Sequence, residues 1–182
     1  GAEKGSDGNC GRALTINATP SEKTAEGFMT AKIHMVTGLT GAGKSTYSET
    51  LALDVNGVRF SIDDWMSNLF FMERDVTTDF DWFYERVQRC AKQMRDTAEL
   101  TLRTKTAVIF DCGFTNNHER GLFYDWADDL GYSVTLHYLD VDQAVRWQRV
   151  ESRNEQQGAT FALNVTREMF DFMQNIWEAP SP

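Results

Sequence analysis

Gly38-Leu39-Thr40-Gly41-Ala42-Gly43-Lys44-Ser45 fits G-x-x-x-x-G-K-[ST], the spacing of a phosphate-binding loop. The glycines let the backbone turn tightly, so that successive N–H groups point inward at an anion. Lys44 offers a mobile point charge to the β- and γ-phosphate oxygens, and the Ser45 hydroxyl offers a hard oxygen to Mg²⁺. Thr46 begins a helix whose positive end faces the same anion. The flanks supply the context that the motif requires. Residues 32–37 are apolar enough for a buried parallel strand, and residues 46–53 read as a helix. The expected nucleotide contacts are Gly38, Leu39, Thr40, Gly41, Ala42, Gly43, Lys44, Ser45 and Thr46.

A chain of 182 residues is long enough for one domain with one sizeable core. Its 18 basic and 27 acidic residues leave a net charge of −9, which argues against broad, non-specific binding of nucleic acid. No apolar run has the length needed to span a membrane. Cys10, Cys90 and Cys112 lack the spacing of a metal site, and a reduced, cytoplasmic setting is the simplest reading of them. Residues 1–28 are rich in Gly, Ser, Thr, Asn, Glu and Lys without periodicity. They read as a disordered or loosely packed leader without a secretory signal, and residues 29–182 as the folded domain.

Beyond the loop, strand and helix signals alternate. The turn at Asn56-Gly57 leads into a strand over 58–62, which ends at Asp63-Asp64-Trp65. Residues 66–78 read as irregular, with Leu69, Phe70, Phe71 and Met72 either packing on the core or walling a substrate pocket. A helix over 79–104 carries the stripe Phe83, Val87, Cys90, Ala91, Met94, Ala98 and Leu102, expected to face the core. The apolar strand 106–111 is closed by Asp111, and Asn116 or Asn117 caps the next helix, which Gly131 terminates. A fourth strand over 133–139 precedes an arginine-rich helix over 140–154. Thr166 caps the last helix, whose expected apolar face is Met169, Phe172, Met173 and Ile176. Such alternation implies parallel β-α units in a three-layer α/β fold of the P-loop NTPase type.

Phosphoryl transfer needs a metal, a group that orients the acceptor, and cations on the transferring phosphoryl. Asp111, at the carboxyl end of a buried strand, matches the Walker B position and would hold Mg²⁺ together with Ser45. Asp63 and Asp64 end the second strand, the edge at which open α/β sheets bind ligands. Asp63 is the favoured general base, with Asp64 as a rival that would otherwise cap the following helix. Arg149 and Arg153, four apart, share a helix face, and with Arg146 they suit a helical lid over ATP. Arg120 falls in the first turn of a helix, where a cation is poorly matched to the dipole, and so calls for an anionic or carboxylate partner such as the substrate.

On these segments the chain resembles the small P-loop kinases that include polynucleotide 5′-kinase, chloramphenicol phosphotransferase and the zeta-type toxins, and within them the AAA_33-type kinases. The matching segments are Gly38 to Thr46, Ser61 to Trp65, Val108 to Asp111 with Arg120, and Leu139 to Val141 leading to residues 149–154. The resemblance implies a kinase-type parallel sheet of order 2-3-1-4. It also implies ATP-dependent phosphotransfer with Asp63 as base and Arg149 and Arg153 as lid arginines. The expected activity is therefore Mg²⁺- and ATP-dependent transfer to a hydroxyl of a small molecule. The alternatives are a polynucleotide 5′-hydroxyl kinase and a nucleotide-dependent, toxin-like regulator with a protein partner. Met66 stands where the polynucleotide kinases often carry a base, which, with the acidic composition, disfavours a nucleic-acid acceptor.

Overall fold

The computed structural model describes residues 12–18, 32–70, 80–156 and 164–180. Its strands are β1 (Arg12–Ala18), β2 (Ile33–Thr37), β3 (Val58–Ser61), β4 (Val108–Gly113) and β5 (Val134–Asp140). Its helices are α1 (Lys44–Asp54), α2 (Ile62–Phe70), α3 (Phe80–Arg103), α4 (Asn117–Asp129), α5 (Gln143–Gln156) and α6 (Arg167–Asn175). The sheet runs β1-β5-β2-β4-β3. The β2–β5, β2–β4 and β3–β4 pairs are parallel. Taken from the β3 edge, these four strands follow the expected 2-3-1-4 order, and β1 extends the sheet beyond it.

β1 corrects the reading of the leader. Residues 12–18 form a strand paired antiparallel with all of β5, from Arg12 opposite Asp140 to Ala18 opposite Val134. Within it, Leu14 and Ile16 alternate with more exposed neighbours, and Ile16 packs against the main core. The rest of residues 1–28, Cys10 included, lies outside the described residues.

β2 is buried along its length because helices cover both faces of the sheet. Ile33 and Met35 join Phe60, Met94, Phe110, Phe123 and Leu136 in the larger core cluster, while Val36 joins Ile109 and Leu139 on the other face. Phe110 centres the larger cluster, stacked on Phe60 at 5.5 Å and edge-on to Phe123 at 4.9 Å between centroids. Its truncation to alanine would cost about 3–5 kcal/mol.

The local signals for turns and caps hold. Asn56 adopts φ 50, and Gly57 has no room for a side chain, since a Cβ would lie 2.7 Å from Ile109 Cδ1. Asn116 Oδ1 accepts from Glu119 N–H at 2.9 Å, which caps α4, and Glu119 Oε2 reaches back to accept from Thr115 N–H at 2.7 Å. Thr166 Oγ1 accepts from Met169 N–H.

Three stretches depart from expectation. The helix that opens at Ile62 continues regularly to Phe70 although the sequence from residue 66 reads as irregular, with Met66 buried, Leu69 exposed, and Phe70 edge-on to Trp82 of α3. Phe71 and Met72 lie outside the described residues. In α3 the stripe is core from Cys90 to Leu102, but Phe83 is 45% exposed. In α6 the core residue is Phe170, edge-on to Trp147, whereas Met169, Phe172 and Ile176 are exposed.

Candidate functional site

The phosphate-binding loop joins β2 to α1. Gly43 takes the left-handed N-cap position at φ 94, so that α1 begins at Lys44. Gly41, at φ 82, comes so close to α5 that a Cβ would sit 2.4 Å from the Arg146 carbonyl oxygen. Any larger residue there would push the loop off α5. Lys44 Nζ donates to the carbonyls of Gly38 at 2.8 Å and Leu39 at 3.4 Å, the same protons that a phosphate oxygen would take. Burial lowers the Lys44 pKa, and the negative charges of Asp111 and Asp63 oppose that shift.

A cavity of about 400 Å³ opens over the loop. Thr40, Gly41, Gly43, Lys44, Ser45 and Thr46 line its floor, Asp63 and Met66 come from α2, Phe83 from α3, and Arg149 and Arg153 from α5. The expected cation, base and lid arginines therefore meet at one cavity. Of the remaining loop residues, Gly38 and Ala42 are buried supports.

The cavity separates the two neighbouring aspartates. Asp63 opens onto it, while Asp64 Oδ2 accepts from Arg59 Nη1 at 3.0 Å. Asp64 N–H also donates to Ser61 Oγ, so the expected capping of α2 is done by Ser61. Asp64 thus serves Arg59 rather than the substrate side of the cavity. Crowding by protein raises the Asp63 pKa, helped by Asp111 and Asp64 and opposed by Lys44. This places Asp63 nearer to the range in which a carboxylate both ionises and accepts a proton efficiently.

Asp111 is buried at the end of β4. Its Oδ2 accepts from Arg59 Nη2 at 2.7 Å, Arg59 Nε at 3.2 Å and Ser48 Oγ at 3.0 Å. Neither Arg59 nor Ser48 announces itself in the sequence, because each meets Asp111 only across the sheet. Among the described residues these bonds all fall on Oδ2. A Mg²⁺ bound with nucleotide usually takes one or two protein oxygens beside phosphates and water. The Ser45 hydroxyl at the cavity and the Asp111 carboxylate fit that demand in donor chemistry. No larger cluster of metal-ligating side chains occurs among the described residues.

The arginines divide. Arg149 Nη1 donates to Ala42 O at 3.3 Å and lies over the loop. Arg153 has a buried Nε with no hydrogen-bond partner among the described residues, a donor that an anion in the cavity would satisfy. Arg146 is instead a brace. It is 3% exposed and donates from Nε to Val141 O, from Nη1 to Thr40 O and from Nη2 to Gln174 Oε1. Arg120 is also a brace rather than a substrate contact. At 2% exposed, it donates to Phe114 O, Asn117 Oδ1 and Glu178 O, and so ties the segment after α6 to α4. The anionic partner expected of it is replaced by carbonyl dipoles.

At the far end of α5, Asn154 donates to Val165 O at 2.8 Å and accepts from Val165 N–H at 3.2 Å. These two bonds tie the end of α5 to the residue just before the Thr166 cap, and residues 157–163 lie outside the described residues. His34 and His137, on β2 and β5, share a hydrogen bond of 2.9 Å, and His137 bonds Tyr47 of α1 at 2.8 Å. Burial lowers both histidine pKa values, that of His34 to about 4, so the chain of rings is neutral and structural.

The profile of the AAA_33 family, an AAA domain, matches residues 33–180. No curated protein matches the chain. Among solved structures, a candidate kinase from Chloroflexus aurantiacus is similar with a TM-score of 0.63 and 18% identity, over 81% of this chain and 76% of that one. The Pnkp1/Rnl/Hen1 RNA repair complex gives 0.59 and 19%, over 87% of this chain and 49% of its counterpart. A sugar kinase from Janibacter sp. HTCC2649 gives 0.57 and 17%, over 84% and 80%. At these identities the likeness is one of fold. No described helix is long and apolar enough to cross a membrane.

Proposed function

This chain belongs to the AAA_33 family, and on that premise we propose that it is an ATP- and Mg²⁺-dependent phosphotransferase acting on a hydroxyl of a small molecule. We take residues 29–182, with β1 completing their sheet, as its catalytic domain. The observation that carries the reading is the meeting of Lys44, Asp63, Arg149 and Arg153 at one cavity above a phosphate-binding loop.

In this reading the loop N–H groups and Lys44 hold the triphosphate. The acceptor oxygen attacks the γ-phosphorus, the bond to the β-phosphate oxygen breaks, ADP leaves, and the hydroxyl proton passes to Asp63. Arg149 and Arg153 offset charge on the transferring phosphoryl. Ser45 and Asp111 are the residues that would hold Mg²⁺, which neutralises phosphate charge when bound.

The test is ATP consumption across a panel of hydroxyl compounds, with Asp63→Asn and Lys44→Ala measured alongside. Acceptor-stimulated turnover should fall by about 10²–10⁴ in Asp63→Asn, with ATP affinity nearly unchanged. Slow hydrolysis that no acceptor stimulates, unaltered in Asp63→Asn, would refute the reading and favour a nucleotide-dependent switch.

A further inference from the structure

Arg59 reaches acids from three other elements. From the edge strand β3 its guanidinium meets Asp111 of β4 at 2.7 Å, Asp64 of α2 at 3.0 Å and Glu49 of α1 at 3.6 Å. The Arg59 side chain is 16% exposed and that of Asp111 5%, whereas Asp64 and Glu49 are open to water. Exposed ion pairs hold little energy, so the pair with Asp111 is the strong one.

That pair treats the two oxygens of Asp111 differently. Arg59 places Nη2 at 2.7 Å and Nε at 3.2 Å from Oδ2, and Ser48 Oγ lies 3.0 Å from the same oxygen. Ser48 has one hydroxyl proton for three acceptors, since Lys44 O lies at 2.8 Å and Ser45 O at 3.0 Å from its Oγ. Ser48 Oγ also accepts from Arg59 Nε at 3.0 Å. Arg59 is therefore the donor that fixes the carboxylate. Its Nη1 is occupied by Asp64 Oδ2, which holds the planar fork from the other side. Oδ1 of Asp111 takes no bond among the described residues.

We propose that Arg59 is a positioning residue for the metal side of the site: it holds Asp111 by Oδ2 and so leaves Oδ1, with the Ser45 hydroxyl, for the Mg²⁺ of the nucleotide. This rests on the phosphotransferase reading above and adds to it a residue outside the phosphate-binding loop. Asp64 and Glu49 keep Arg59 in place. A lysine at 59 retains the charge but not the fork, and cannot serve Asp111 and Asp64 together.

The experiment measures ADP affinity by calorimetry with and without Mg²⁺, and Mn²⁺ affinity of the ADP complex by electron paramagnetic resonance. The parent, Arg59→Ala, Arg59→Lys and Ser48→Ala are compared. The quantity read is the gain in ADP affinity on adding Mg²⁺. A general loosening of the loop leaves that gain unchanged, because it weakens binding with and without metal alike. Arg59→Ala should cut the gain and the Mn²⁺ affinity by roughly 10-fold, with metal-free ADP affinity within about twofold of the parent. Arg59→Lys should lose roughly threefold, and Ser48→Ala less than Arg59→Ala. If Arg59→Ala does not fold, Arg59→Lys carries the same test. A parent-like gain in either Arg59 variant would overturn the inference and leave the phosphotransferase reading standing. So would tighter metal binding in either, which would make Arg59 a competitor of the metal for Asp111. ADP binding to the parent that Mg²⁺ leaves unchanged would overturn both.

Discussion

Arg146 and Arg149 sit one turn apart on α5 and do opposite work. Arg146 is buried, and its guanidinium serves Val141 O, Thr40 O and Gln174 Oε1, which locks the phosphate-binding loop to α5 and α6. Arg149 is exposed at the cavity and, among the described residues, makes one long bond, to Ala42 O, which leaves its other donors available to a ligand in the proposed reading. Arg120 and Arg153 repeat the contrast: the first is served by carbonyls, and the second holds a buried Nε without a partner among the described residues. A guanidinium whose donors are spent on the protein holds a shape, whereas one with donors in reserve can hold an anion. Residue type and helical spacing are the same for both, so the distinction lies in tertiary contacts.

The largest effect that would sharpen this contrast is on stability. Arg146→Ala leaves three part-buried acceptors unserved and should cost about 3 kcal/mol in denaturant unfolding, with nucleotide affinity weakened through the loop. A variant as stable as the parent would break the contrast at its base. The neutral histidine chain is a brace of another kind. The folded pKa of His34 lies below the unfolded value of 6.5, at about 4. Its contribution is therefore present above pH 6.5 and lost as the pH falls toward 4, up to about 3 kcal/mol. His34→Gln should flatten the melting temperature between these limits, and an unchanged slope would remove the histidines from the account.

Arg149→Ala should act on the other side of the comparison. Transfer should slow by roughly 10²-fold while the melting temperature stays within about 2 °C of the parent. The smallest effect is expected at Asp63. Its raised pKa means that the folded state favours the protonated form, so that contribution is lost as the pH rises through the folded value. Asp63→Asn should then be slightly more stable than the parent at neutral pH, by at most about 1 kcal/mol after screening at its open side. A less stable variant would contradict the assignment of Asp63 to function over structure.

The loop, the four parallel strands and the meeting of Lys44, Asp63, Arg149 and Arg153 were legible in the sequence, because motif spacing and strand-end position are local properties. The rest depended on contacts between distant segments. β1 has just Leu14 and Ile16 to mark it within a polar stretch, and its pairing partner lies more than a hundred residues away. Arg59 reads as an ordinary strand arginine until β4 places Asp111 beside it. Phe83 obeys the core period of α3, yet its ring is half-exposed at the cavity. Arg120 looked misplaced at a helix start because the carbonyls of Phe114 and Glu178 that satisfy it come from outside the helix.

The most direct test of the account is nucleotide affinity and acceptor-stimulated turnover measured on the same preparations of the parent and Asp63→Asn. The account predicts ATP affinity within about twofold and transfer to the acceptor reduced at least about 10²-fold. Equal turnover in the two proteins would contradict it.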